Sequence, residues 1–234
     1  MNKSSELRSG LKLVVFDCDG VLIDSEGPSC RKVAEYARSL GIKVSDKEAF
    51  SRYAGNTIAQ TVSSFEKELG HSLPPETVPQ MRHMLVEFLK SGVDPIDGAF
   101  DLLEDLKKHH IPFSVGSNSS IVEMEAKFGH TKMDRLIPKD RIFSANDMGC
   151  HKPDPGVYLH AAQQEGVTPE ETIVIEDSDT GAEAVRRAGM SCLLLRDHNH
   201  SLPSYWPVPH FVHITSLSEV MPLLLPKLAP GVTH

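Results

Sequence analysis

Short apolar runs alternate with helical stripes along most of this chain, and the alternation is interrupted once, early, by a stretch that is helical throughout. Leu11–Phe16, Ile111–Val115, Arg141–Ser144, Thr172–Ile175, Cys192–Leu195 and Phe211–Ile214 read as strands. Between them, Ala99–Lys108, a segment after Ser120, Pro153–Gln164, Gly181–Ala188 and Ser216–Leu225 read as helices, and His198–His210 is an aperiodic, Pro-rich loop. This order demands an α/β fold: a doubly wound parallel sheet with right-handed crossovers, binding its ligand beyond the carboxyl ends of the strands. Asp17, Ser117 and Glu176-Asp177 each follow directly on a predicted strand, so all three clusters should face one crevice.

The interruption is the stretch 27–92. Val33, Tyr36, Ala37 and Leu40 form one stripe, stopped by Gly41, and a capping box, Ser45-x-x-Glu48, opens the next helix. Ile58, Val62, Phe65 and Leu69 form a third stripe, and Val78, Met81, Leu85 and Phe88 a fourth. The expected organisation is a core of residues 11–26 and 93–227, an inserted helical domain at 27–92, and flexible ends at 1–10 and 228–234.

Charge and cysteines exclude several classes. With 24 basic against 32 acidic residues the chain carries −8, and no basic run exceeds a pair, which argues against a nucleic-acid groove or a polybasic membrane patch. The longest apolar run is about four residues, against roughly 20 for a bilayer span. The leader 1–10 is polar, unlike a signal peptide. Cys18, Cys30, Cys150 and Cys192 show no C-x-x-C spacing, which gives zinc no support and fits free thiols in a reducing cytoplasm. The expected partner is a small phosphorylated metabolite, bound by a monomer.

Asp17-Cys18-Asp19-Gly20 places two carboxylates two residues apart at a strand end. Alone, the motif also reads as a plain turn. With Glu176-Asp177 behind a second strand the site holds four acids, and hard oxygen ligands of this kind suit Mg²⁺. Ser117-Asn118, before a helix, reads either as an N-cap or as a phosphate cradle, and the two readings are compatible. Lys152, in Lys152-Pro153-Asp154-Pro155, is either a solvated lysine or an ammonium held near the acids.

Asp17-x-Asp19-Gly20-Val21-Leu22-x-Asp24-Ser25, Ser117-Asn118, Lys152-Pro153 and Glu176-Asp177-Ser178-x-x-Gly181 together resemble the haloacid dehalogenase superfamily. The subgroup it resembles carries a small helical cap after the first strand and includes sugar-phosphate phosphatases and β-phosphoglucomutase. The resemblance implies a Rossmann-like core, with Asp17 as nucleophile and Asp19 as general acid and then base. It implies Mg²⁺ held by Asp17, the main-chain carbonyl of Asp19 and Asp177, with Glu176 beside them. Ser117, Asn118 and Lys152 would bind the phosphoryl group, and Glu26, Gly55 and Asn56 of the cap would meet the rest of the substrate. The second acid, Asp19, favours phosphate over halide. Ser29 and Ile58 stand where the mutases carry His and Arg, which favours a monophosphate hydrolase over a phosphosugar mutase. A receiver-type signalling domain shares an acidic pair and a Lys, but is about half this length and lacks the insert.

Overall fold

The computed structural model describes residues 6–54, 56–196 and 201–232. Its main sheet has six parallel strands in the order β5-β4-β1-β6-β7-β8, formed by β1 (Leu13–Phe16), β4 (Phe113–Ser117), β5 (Ile142–Ser144), β6 (Thr172–Glu176), β7 (Ser191–Leu195) and β8 (Phe211–Ile214). Every residue of β1, β4 and β6 is buried, as a parallel sheet covered on both faces requires. Leu13, Val15 and Val174 pack on one side against Val157, Tyr158 and Ala161 of α8 (Gly156–Gln164) and Ala182 and Val185 of α9 (Asp179–Ala188). Leu102, Leu103 and Leu106 bury the apolar stripe of α5 (Ala99–Lys108). In α6 (Ile121–Thr131), Met124, Lys127 and Phe128 share the buried face.

The chain divides into two compact units, one of residues 1–23 and 95–234, the other of residues 24–94. The second unit contains α1 (Glu26–Ser39), α2 (Asp46–Tyr53), α3 (Ile58–Leu69) and α4 (Thr77–Leu89) around Val33, Ala37, Tyr53, Val62, Phe65 and Met81. The capping box at Ser45 forms, and Thr57 and Gln60 make another at the start of α3. The two-residue strands β2 (Ile23–Asp24) and β3 (Asp94–Pro95) pair with each other.

Several boundaries differ from the sequence reading. β4 begins two residues later than Ile111 and includes Gly116-Ser117. Ile111 N–H closes the end of α5 on Leu106 O, and Gly116 pairs with Phe143 beneath the ring of Tyr158, where a Cβ would lie 3.3 Å away. α8 begins at Gly156 rather than Pro153, because Asp154 Oδ1 takes the Gly156 N–H at 2.8 Å in a turn ahead of the helix. α9 starts at Asp179, capped by Ser178 Oγ accepting from Gly181 N–H. The segment Ala145–Met148 is a short helix, α7, capped by Ser144. The closing helix is broken into a 3₁₀ turn, Leu217–Glu219, and α10 (Val220–Leu224). Residues 201–210 are free of helix and strand, and 197–200 lie outside the described residues. Instead of hanging loose, Gly10 N–H donates to Lys227 O and Ala229 N–H to Leu11 O, and Leu7 is buried.

Candidate active site

Strand register assembles the site. Phe16 lies opposite Val115 on one side and Ile175 on the other, so Asp17 emerges between the ends of β4 and β6, level with Glu176. Its N–H continues the ladder to Ile175 O at 2.9 Å. Ser117 and Glu176 are the last residues of their strands, which run two residues and one residue further, respectively, than the sequence suggests.

Lys152 is the centre of the charge arrangement. Its Nζ donates to Asp17 Oδ1 at 2.6 Å and Glu176 Oε1 at 2.8 Å, and stands 4.7 Å from the centroid of the Tyr158 ring. The ammonium side chain is 3 % exposed, so the solvated-lysine reading is excluded. Asn118 fixes the backbone that carries it, accepting the Lys152 N–H on Oδ1 at 2.9 Å. Ser117 Oγ accepts the Ser119 N–H at 3.1 Å. Ser120, rather than Ser117 or Asn118, caps α6.

Glu176 is fully buried and engaged on both oxygens. Lys152 Nζ and the Tyr158 hydroxyl reach Oε1; the Asp177 N–H, Ser178 N–H and Ser178 hydroxyl reach Oε2. Burial alone would raise its pKa, but Lys152, the Ser178 N–H and the Tyr158 hydroxyl bring it below the ordinary carboxylate value. Five donors leave Glu176 little to offer a cation, so its place is to hold Lys152 and the loop after β6. No Cβ fits at Gly181, where one would meet Glu176 Oε1 at 1.7 Å.

The acids of Asp17, Glu176 and Asp177 come within 4.8 Å of one another. Three carboxylates against one ammonium leave two negative charges, which a divalent cation would balance. Burial, then Asp177's neighbours Glu176 and Asp17, push the Asp177 carboxyl up to about 8; burial, opposed by Lys152, takes Asp17 to about 7. The donor set therefore fits a hard divalent cation, for which Asp17 and Asp177 have the carboxylates least engaged by other donors. The Asp19 carboxylate is turned elsewhere, to Lys127 and Ser119. A ligand from that residue would be its main-chain oxygen, as the resemblance implied.

Asp17, Asp19, Ser117, Asn118, Lys152 and Glu176 line one cleft of about 280 Å³. The sequence reading missed Lys127, Ser119 and Tyr158. Lys127 had a signal: it is a charge at i+3 from Met124 and next to Phe128, inside an apolar stripe. Of the other candidates, Glu26 and Asn56 belong to the helical unit, where with Tyr53 and Thr61 they line a pocket of about 120 Å³. Glu26 lies in the first turn of α1. The Asn56 amide donates to Arg52 O at 3.0 Å, closing the end of α2. Gly55 lies outside the described residues.

Residues 14–195 match the family described as haloacid dehalogenase-like hydrolase. The chain belongs to that family. The match contains every core candidate from Asp17 to Asp177, and membership removes the receiver-type reading. Among relatives of this haloacid dehalogenase-like chain, the 6-phosphogluconate phosphatase of Escherichia coli K12 is 30 % identical, covering 91 % of this chain and 95 % of the relative. The fructose-1-phosphate phosphatase YqaB of the same organism is 31 % identical over 78 % of this chain and 95 % of its own. A Deinococcus radiodurans hydrolase of the family, whose crystal structure holds phosphate and sodium, superposes with a TM-score of 0.77 at 27 % identity, covering 97 % of this chain and 99 % of that one. Among the described residues, no helix is long and apolar enough to cross a membrane.

Proposed function

We propose that this hydrolase is an Mg²⁺-dependent phosphatase that removes phosphate from a small phosphorylated sugar or sugar acid through an aspartyl phosphate on Asp17. The observation that carries this reading is the buried Lys152, which holds Asp17 and Glu176 together at 2.6 and 2.8 Å beside Asp177. The phosphatase relatives support the substrate class.

A carboxylate oxygen of Asp17 attacks phosphorus as the bond to the organic oxygen breaks, and Asp19 gives that oxygen a proton. Water then attacks phosphorus and passes a proton to Asp19. The bond to Asp17 breaks, freeing inorganic phosphate and the carboxylate. Two of the three Lys152 donors are spent on Asp17 and Glu176, and the phosphoryl group takes the third. Ser117 and Asn118 line the same cleft and position the transferring group. Bound at Asp17, Asp177 and the Asp19 carbonyl, Mg²⁺ would supply charge neutralisation for the phosphoryl oxygens. Glu26, Gly55 and Asn56 select the organic part. The free cysteines Cys18, Cys30 and Cys192, all buried, fit a cytoplasmic setting.

The test is phosphate release from a panel of sugar and sugar-acid monophosphates, with Mg²⁺ and with EDTA. Turnover of at least one ester, abolished by EDTA and restored by Mg²⁺, is expected. No release from any ester with Mg²⁺ present would overturn the phosphatase reading; full turnover in EDTA would overturn the metal.

A further inference from the structure

Lys127 is 2 % exposed, yet it occupies a position that folding alone would fill with Leu or Met, between Met124 and Phe128 on the buried face of α6. Its Nζ lies 2.7 Å from Asp19 Oδ1, 2.8 Å from Asp19 Oδ2 and 3.1 Å from Ser119 Oγ. Those three contacts match its three N–H donors. The Ser119 hydroxyl in turn donates to Asp19 Oδ2 at 2.8 Å. A buried ion pair contributes little net stability over an apolar pair of similar volume, so stability does not explain it. What it fixes is a side chain. Asp19 is one-third exposed, two residues from Asp17, in an open cleft. A carboxylate there would otherwise sample several rotamers.

We infer that Lys127 is a positioning residue for the reaction. Together with Ser119 it holds the Asp19 carboxylate in one orientation, outside the acid cluster of Asp17, Glu176 and Asp177. This rests on the reading of Asp19 as proton donor to the leaving oxygen and base for water. General acid–base catalysis depends on placing the proton carrier within hydrogen-bond reach, and it matters most when the leaving group is a poor one. Lys127 touches neither the phosphoryl-binding Lys152 nor Asp17, so its loss should leave substrate binding intact.

The experiment compares Lys127→Met, Lys127→Arg, Ser119→Ala, Asp19→Asn and the Asp19→Asn/Lys127→Met double variant. Each is assayed with Mg²⁺ on a sugar phosphate and on p-nitrophenyl phosphate, whose leaving group needs little protonation. Lys127→Met should lower kcat on the sugar phosphate by about 30- to 100-fold, but on the aryl ester by only about fivefold or less, with KM within about threefold on both. Lys127→Arg should recover part of the loss, and Ser119→Ala should show the same leaving-group pattern at smaller size. In the Asp19→Asn background, Lys127→Met should add less than about twofold, because a residue acting only through Asp19 has nothing left to act on. Unchanged kcat in Lys127→Met, an equal loss on both esters, or a full additive loss in the double variant would overturn the inference alone. An Asp19→Asn enzyme as active as the unaltered one would overturn the reading of Asp19 and this inference with it. Should Lys127→Met fail to fold in a thermal melt, Ser119→Ala decides: no leaving-group-dependent loss there overturns the inference.

Discussion

A Cβ on Gly20 would lie 2.0 Å from Oδ2 of Asp177, and Gly20 itself sits at φ +81°. Two independent reasons thus require glycine: the left-handed backbone, and the acid of a separate strand end occupying the space of a side chain. The Asp-Gly step is more than a turn; it lets β1 and β6 bring their acids together. Gly20→Ala should cost about 1–2 kcal/mol in backbone strain and displace Asp177. The Mg²⁺ concentration for half-maximal activity should rise by about tenfold or more, as when a group supporting a metal ligand is lost. A Mg²⁺ titration of activity checks this, and an unchanged midpoint would show that Asp177 had not moved.

Asp17→Asn removes the attacking charge while keeping the side chain's shape. Turnover should fall by at least about a thousandfold. The fold should survive, since the amide oxygen can still accept from Lys152 and the repulsion with the neighbouring Glu176 and Asp177 is relieved. Steady-state kinetics and a melting curve, taken together, decide it: a stable variant with most of its activity would rule out Asp17 as the nucleophile.

Without metal, stability should depend on pH in an unusual sense. Asp17 and Asp177 have folded-state pKa values raised to about 7 and about 8, above their unfolded values. Raised acids bind protons more tightly in the folded state, so their contribution is fully present near pH 4 and is lost as pH rises through 7 to 8. In EDTA, the melting temperature should fall between pH 5 and pH 8.5. Saturating Mg²⁺ should remove most of that fall by pairing with the ionised acids, and Asp177→Asn should flatten it without metal. A pH-independent melt in EDTA over this range would contradict the arrangement.

Legibility in the sequence followed periodicity and strand ends. Asp17, Ser117 and Glu176-Asp177 could be placed at one crevice because strand–helix alternation fixes which ends face the ligand. The two-residue error at β4 came from reading Gly116-Ser117 as a loop, when the small residue is there to pass under Tyr158. Asp19 and Lys127, 108 positions apart, meet only through the folded sheet. Spacing carries no trace of such a pair. The apolar stripe around Lys127 shows only that its ammonium needs a partner, not which one. Adjacency to Asp177 placed Glu176 among the acids of the site, but it cannot reveal the five donors that the fold turns toward its carboxylate.

The last prediction separates the phosphoryl-holding residues from those that choose the ester. Lys152→Ala removes the one ammonium shared by two buried carboxylates, which should cost on the order of 3–5 kcal/mol, lowering the melting temperature most in EDTA. In catalysis Lys152 meets only the group common to all substrates. Its loss should therefore slow every ester by a similar factor, p-nitrophenyl phosphate included. Asn56→Ala and Glu26→Gln change residues of the helical unit instead. They should reorder the preference among sugar phosphates by about tenfold between best and worst, while p-nitrophenyl phosphate changes by less than about twofold. Asn56 also closes α2 on the main-chain oxygen of Arg52, so the variant's melting curve must match that of the unaltered protein before its substrate profile is read. A substrate profile for each variant gives the answer. If Asn56→Ala and Glu26→Gln slow all esters by one common factor, as Lys152→Ala should, these two residues do not select the organic group, and selection lies with the cleft of the core.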